Sequence, residues 1–304
     1  MKRVLPGRRA LAPTVAPPCG PPIFESDLHP GDVLLSYGSD ADLIDIVITT
    51  LDDGDYSHAA VWDGDCVVEA TLRGVRRSTL KEELTQQYVD VYRWRPTPPT
   101  AHVLGDKRYP YQPVTAEADR IADAGLKYSY SKMVLAGLVI GISKVPVDAE
   151  MRGRVRYVAN ALADWVLSLK KKGKGSMTCT EVVSTTFWDA SPDRLYAIDI
   201  IVDGSRDIET IKTAAKGPLR PPAKPPLSDD ERDKQRCFEL FLETAPGVRP
   251  EALAAWADAQ SRALTFGPRP AKGGGPDVPL ACVTPHDLQR SPDLKCVGRL
   301  TKRP

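Results

Sequence analysis

The sequence predicts an α+β chain. Short apolar runs separated by tight turns fill residues 33–95, helical spacing dominates from 115 to 188, and Pro-rich segments interrupt the chain before its tail. Strands grouped ahead of helices are the order of an α+β fold, not of alternating βαβ units.

Taken in order, residues 1–26 carry Lys2, Arg3, Arg8 and Arg9 among Pro6, Pro13, Pro17 and Pro18. They read as a flexible N-terminal arm, and the prolines break up the apolar stretch a Sec signal peptide needs. A turn at Leu28-His29-Pro30-Gly31-Asp32 leads into a strand at 33–37. Over 42–51, Leu43, Ile44, Ile46, Val47 and Leu51 recur at helical spacing. Residues 57–62 and 65–70 flank Asp63-Gly64, the strongest short-range hairpin signal. A further strand covers 89–95 and stops at Pro96.

A helix is expected over 115–125, capped by Thr115 and closed by Gly125. The apolar stretch 133–142 reads as a core helix. Over 154–169, Val155, Val158, Leu162, Trp165, Val166 and Leu169 share one face, and Lys170-Lys171-Lys172-Gly173 supplies the C-terminal charge and cap. Residues 178–188 form a further helix. Residues 216–229 hold five prolines and read as a semi-rigid linker, followed by two short helices near 229–243 and 250–264 and a second Pro/Gly-rich stretch over 267–279. Compact sequence resumes at Val283. The domain reading is therefore an arm over 1–26, one folded domain from 27–190 with 282–300, and an insertion over 191–281.

Composition removes several functions. Lys+Arg 41 against Asp+Glu 40 leaves a net charge of +1, without the basic excess a dedicated nucleic-acid binder uses to displace phosphate counterions. The longest apolar run, 133–142, is about half the ~20 residues that cross a bilayer, so no integral membrane span is expected. The six cysteines, at 19, 66, 179, 237, 282 and 296, contain no CxxC pair and are too sparse for a disulfide scaffold. The chain reads as one of mostly free thiols. The four histidines (29, 58, 102, 286) contain no i,i+4 pair, and Gly273-Gly274-Gly275 runs into Pro276-Asp277 and not into Lys and a helix. No metal and no cofactor are expected.

Three residues could carry chemistry together. If Asp63-Gly64 is a two-residue turn, paired positions sum to 127, so Ala60 faces Val67 and His58 faces Glu69. Directly opposed side chains share a face with Cβ atoms roughly 4.5–5.5 Å apart, close enough for a carboxylate to hold an imidazole N–H. Cys179 falls in the first turn of the helix that opens at Thr178. A thiol there meets the positive end of the helix dipole, and with an adjacent imidazolium the thiolate is favoured. First-turn N–H groups can also receive an oxyanion. Each residue also has a plainer reading: a strand histidine is commonly structural, a free cysteine is commonly buried core, and Glu69 could serve as a cross-strand partner for Arg or Lys.

The segments Pro30-Gly31-Asp32-Val33-Leu34, Ser57-His58-Ala59-Ala60-Val61-Trp62 with Asp63-Gly64, and Val68-Glu69-Ala70 running to Gly74-Val75 resemble the permuted papain-like amidases. These are circularly permuted NlpC-type cysteine peptidases, also called YiiX-like. Later segments extend the likeness: Tyr128 and Tyr130 before an apolar helix, Cys179-Thr180-Glu181-Val182-Val183, then Thr284-Pro285-His286-Asp287-Leu288 with Ser291-Pro292. The resemblance covers about 28–190 and 282–300. It implies a papain-like antiparallel sheet packed against helices, with Cys179 as nucleophile, His58 as base and Glu69 as orienting acid. Thr178, Tyr128 and Tyr130 are candidates for substrate or oxyanion contact. The 191–281 segment departs from the family pattern, in which the tail follows the nucleophile helix more closely.

The function expected is hydrolysis of an amide bond through an acyl-enzyme, with cell-wall peptide as the substrate class the superfamily suggests. The alternatives are a thiol-dependent lipid hydrolase or acyltransferase, for which 133–142 would supply lipid contact, and an inactive binding protein that works through its Pro-rich insertion. The expected partner is thus a peptide or acyl-lipid substrate, with a protein partner at 191–281 as one reading of that segment. Location stays open between bacterial cytoplasm and export without a Sec signal, including delivery as an effector.

Overall fold

The computed structural model describes residues 16–38, 45, 48–49, 52, 54–71, 73–97, 102–129, 176–200, 232, 236 and 283–302. Its centre is a seven-stranded sheet: β1 (Pro22–Ile23), β2 (Val33–Tyr37), β3 (His58–Trp62), β4 (Val67–Thr71), β5 (Gly74–Ser78), β6 (Tyr88–Trp94) and β9 (Leu294–Leu300), in the spatial order β1-β9-β6-β2-β3-β4-β5. All neighbours are antiparallel except β1 and β9. Two short strands, β7 (Lys127–Tyr128) and β8 (Ser176–Met177), pair in parallel beside it. The chain is α+β with a mostly antiparallel sheet.

The period-2 alternation of these strands feeds two apolar layers. On one face, Val33, Leu35, Ala59, Val61 and Val68 meet Val114, Ala118 and Ile121 of helix α2 and Val182, Val183 and Phe187 of helix α3. Here α1 is Leu80–Glu83, α2 is Gln112–Asp123, α3 is Cys179–Asp189 and α4 is Pro285–Gln289. On the other face, Leu34, Ala60, Trp62, Val67 and Val91 pack with Leu80 of α1 and Ile23 of β1. The helix α3 is rich in Val and Thr, which are modest helix formers. Its burial from Cys179 through Phe187 outweighs that propensity.

Several sequence expectations change. The turn after β3 is centred one residue later than expected, on Gly64-Asp65. The Asp63 amide donates to the Cys66 carbonyl (3.0 Å), and Asp63 Oδ1 accepts from the Asp65 and Cys66 amides (2.8 and 2.7 Å). The register is therefore Ala60↔Glu69, Val61↔Val68 and Trp62↔Val67, two positions away from the one expected. A slip of one flips the face, whereas a slip of two restores it. His58 and Glu69 stay on one face as diagonal neighbours.

The helix expected from Thr115 begins three residues earlier, with Pro113 in its first turn where a missing N–H costs nothing. Gly125 does end it, at φ +60.

The arm read over 1–26 packs from residue 16 onward. Ala16 and Ile23 are buried, and β1 pairs with β9. Cys19 and Cys296 form a disulfide with Cα atoms 6.1 Å apart, which corrects the reading of mostly free thiols. Their separation of 277 residues holds no signal; only the pairing of the two ends of the chain brings the sulfurs together. The free cysteines among the described residues are Cys66 and Cys179.

The chain also stays in the core past the boundary read at 191. Tyr196 lies against Trp94 and Tyr109, with ring centroids 5.7 and 6.1 Å away, and the Asp199 amide donates to Asp293 Oδ2 (2.6 Å). Within 42–51, Asp45, Ile48 and Thr49 are helical. The elements expected at 133–142, 154–169 with 170–173, 216–229, 250–264 and 267–279 lie outside the described residues, as does all of 229–243 except Arg232 and Arg236. Among the described residues, no helix is long and apolar enough to cross a membrane.

Candidate active site

His58 opens β3 and lies on the sheet face covered by α1. Glu69 of β4 shares that face, and His58 Nε2 lies 2.9 Å from Glu69 Oε2. Helix α3 packs on the opposite face through Val182, Val183 and Phe187. Its tip nevertheless reaches β3, where Cys179 lies close enough to His58 to raise the pKa of the imidazole. Sulfur, imidazole and carboxylate therefore converge at the end of the sheet, between its two layers. With Nε2–H donating to Glu69, Nδ1 is the ring nitrogen left to exchange a proton with the thiol.

The tip of α3 is held from both sides. Thr178 Oγ1 accepts from the Glu181 amide (3.2 Å) and Glu181 Oε2 accepts from the Thr178 amide (3.0 Å), a reciprocal capping box. Thr178, a candidate for substrate contact, thus has its hydroxyl committed to the cap. Its cap takes the third amide of the helix. By helix geometry the first two, of Cys179 and Thr180, have no intrahelical acceptor. Thr180 Oγ1 donates to the Val283 carbonyl (2.7 Å), which ties the tail to α3. The tail is itself capped by Thr284 with Asp287. Tyr128, the next candidate, lies in β7 beside Met177, two residues before Cys179, and the Ser129 amide donates to the Met177 carbonyl (3.0 Å). Tyr130 lies outside the described residues.

Two residues of the site escaped the sequence reading. Arg76 of β5 is directly opposite Glu69, with its guanidinium 2.9 Å from Oε1. Glu69 is therefore both the imidazole partner and the ordinary cross-strand partner of an arginine. The signal was present: the short turn between Thr71 and Gly74 defines a second hairpin. Gly74 has φ +108, and a Cβ there would lie 2.9 Å from the Leu126 carbonyl oxygen, which accepts from the Val75 amide. The second missed residue is Glu83, the last of α1, which is buried with a ligand atom within 4.8 Å of those of His58 and Glu69. Nothing in Lys81-Glu82-Glu83 marks it, since an acidic run on a short helix ordinarily faces solvent.

Among the described residues, His58, Glu69 and Glu83 are the group with metal-ligand donors in mutual reach. Glu69 already bridges His58 and the Arg76 guanidinium, so a cation placed there would face a fixed positive charge. The donor set fits a proton-exchanging network better than a metal centre.

The electrostatics follow from these contacts. Burial alone would lower the pKa of His58. The interactions with Cys179 and Glu69, together with the charge of Glu83, outweigh it and hold the imidazole well above its ordinary value. Burial would raise Glu69, yet the hydrogen bond and charge of His58, with Ser78 and Arg76, lower it to about 2. Burial raises the pKa of the Cys66 thiol, and Asp65 and Asp63 add to the effect.

A stability prediction follows for Glu69. Its folded pKa is depressed from 4.5 to about 2, so its contribution is fully present above pH 4.5 and disappears as pH falls toward 2. That contribution is on the order of 3 kcal/mol. The expected result is that Glu69→Gln flattens the acid limb of denaturation midpoint against pH between 4.5 and 2. An acid limb identical to wild type would contradict the assignment. No protein-family model, no curated protein and no solved structure matches the chain.

Proposed function

We propose that this chain is a cysteine hydrolase with a papain-like catalytic domain, cleaving an amide bond of the cell-wall peptide class. The observation that carries the reading is the position of His58, hydrogen-bonded to Glu69 and close enough to Cys179 for the thiol to raise its pKa. In the proposed cycle His58 takes the thiol proton and the sulfur attacks the amide carbonyl carbon. The resulting oxyanion is received at the α3 N-terminus, where the Cys179 and Thr180 amides have no helical acceptor. Collapse breaks the C–N bond, and the imidazolium gives its proton to the leaving amine. Water, deprotonated by His58, then hydrolyses the thioester and returns the thiol. Glu69 keeps the ring oriented and stabilises its charged form throughout.

Thiol alkylation tests the arrangement. At neutral pH iodoacetamide is expected to modify Cys179 ahead of Cys66, and His58→Ala is expected to slow the Cys179 reaction at least tenfold. Equal labelling of both thiols, unaffected by His58→Ala, would remove the basis for thiol catalysis. Incubation with peptidoglycan fragments and, separately, with phospholipid vesicles, read by mass spectrometry, identifies the acyl group. Release of fatty acid without peptide cleavage would replace the amidase reading with the lipid one.

A further inference from the structure

The polar row across the α1-facing side of the sheet includes a buried acid with no part in the proposed cycle. Ser36 of β2 pairs with His58 of β3, and Glu69 of β4 pairs with Arg76 of β5; Glu83 reaches this row from α1. Glu83 is 2 % exposed, and its Oε1 has no hydrogen-bond partner. A carboxyl group deep under a helix, held against a histidine and a second carboxylate, is costly unless its charge is balanced nearby. The balance is visible. His58 and Arg76 are the two cationic partners, and Glu69 and Glu83 are the two anionic ones. Glu82, the neighbour of Glu83 on α1, is exposed and pairs with the same Arg76 Nη2 that meets Glu69 (2.9 Å). From α3, Cys179 presents a third acidic group to the same imidazole.

We propose that Glu83 is a positioning residue of this site, whose buried carboxyl controls how firmly His58 holds its proton and thereby the pH at which His58 can serve as base. The inference rests on His58 being the base of the proposed thiol chemistry. The sign follows from charge. Burial favours the neutral acid of Glu83, and the adjacent Glu69 carboxylate adds to that preference, while His58 and Arg76 oppose it. As pH rises and Glu83 ionises, a second negative charge faces the imidazole, and His58 releases its proton only at higher pH. Glu83 and the Cys179 thiolate then compete for one imidazolium. A charge within 4.8 Å is close enough to change the proton affinity of His58 tenfold or more at an effective dielectric near 20.

The test is a histidine-ring NMR titration of the full chain, with the His58 signal assigned by its loss in His58→Gln. In Glu83→Gln the His58 midpoint is expected to fall by about one pH unit, and Glu83→Asp is expected to restore most of it. A His58 midpoint unchanged in folded Glu83→Gln would overturn the proposal. Should that variant fail to fold, the carboxyl carbon of Glu83 in the wild-type chain answers the same question. Its titration is expected above the usual carboxylate range, with a matching inflection in the His58 signal. An ordinary midpoint with a single-step His58 curve would overturn the proposal. These readouts do not depend on turnover. Loss of the Glu83 effect with thiol chemistry intact removes only this inference, whereas an unreactive Cys179 beside a coupled Glu83–His58 pair removes only the hydrolase reading.

Discussion

In the proposed hydrolase, replacing Cys179 by Ala is expected to lower turnover of a peptide substrate by a factor on the order of 10⁴ or more while leaving the denaturation midpoint close to wild type. The size of the loss follows from the mechanism. Without the sulfur no covalent acyl intermediate forms, and deletion of the nucleophile from a working triad costs about as much as deletion of the whole triad. The fold should tolerate the change because the helix end is secured elsewhere. Thr178 and Glu181 close the capping box, and Thr180 binds the Val283 carbonyl. Losing one buried sulfur from a site that Val182, Val183 and Phe187 already anchor removes little apolar burial. Fragment release quantified by mass spectrometry, alongside circular dichroism melting, separates the two effects. Undiminished hydrolysis by a folded Cys179→Ala variant would rule out covalent catalysis at this thiol.

The largest stability loss is expected from Asp90→Ala, far from the thiol. Asp90 is fully buried in β6 and holds together three parts of the chain. Its Oδ1 accepts from Arg299 Nε (2.7 Å), and its Oδ2 accepts from Arg299 Nη2 (2.8 Å) and the Tyr56 hydroxyl (2.8 Å). Tyr56 lies 3.0 Å from the Tyr92 hydroxyl. Burial pushes the Tyr56 hydroxyl well above its ordinary pKa, so it remains a donor over any working pH. Arg299 also donates to the Ala16 carbonyl (3.0 Å) and stacks over the Tyr88 ring at 4.4 Å. Deleting the carboxylate leaves the guanidinium, 14 % exposed, without its anion and leaves Tyr56 short of an acceptor. Removal of one partner from a buried pair costs about 3–5 kcal/mol. Urea denaturation of Asp90→Ala, Arg299→Ala and the double variant should show a double-variant loss well below the sum of the singles. A loss under about 1 kcal/mol for Asp90→Ala would show that the network holds nothing together.

Much of this site was legible from local pattern. Asp-Gly between two alternating apolar runs placed β3 and β4 side by side, and Thr178 ahead of Val182 and Val183 placed Cys179 at a helix tip. The detailed hairpin register was not legible, because the Asp63 side chain moves the turn one residue on, to Gly64-Asp65. That choice depends on the Asp65 and Cys66 amides and not on the Asp-Gly pair alone. The face survived only because the slip was even. Glu83 was invisible for a different reason: whether an acid on a four-residue helix faces water or core depends on which sheet the helix covers, and no local spacing encodes that.

What the sequence determined by itself was the chemistry available and its rough placement on strands and a helix tip, since turns, caps and alternation are set by neighbours within a few residues. The tertiary structure alone decided that α3 comes from one face of the sheet and α1 from the other, so that Cys179 and Glu83 meet the same imidazole. It also decided that Cys19 joins Cys296 and that Arg76 shares Glu69 with His58. The physical reason is the distance along the chain. These contacts join groups that are up to 277 residues apart, and only burial of the two apolar faces brings such groups together.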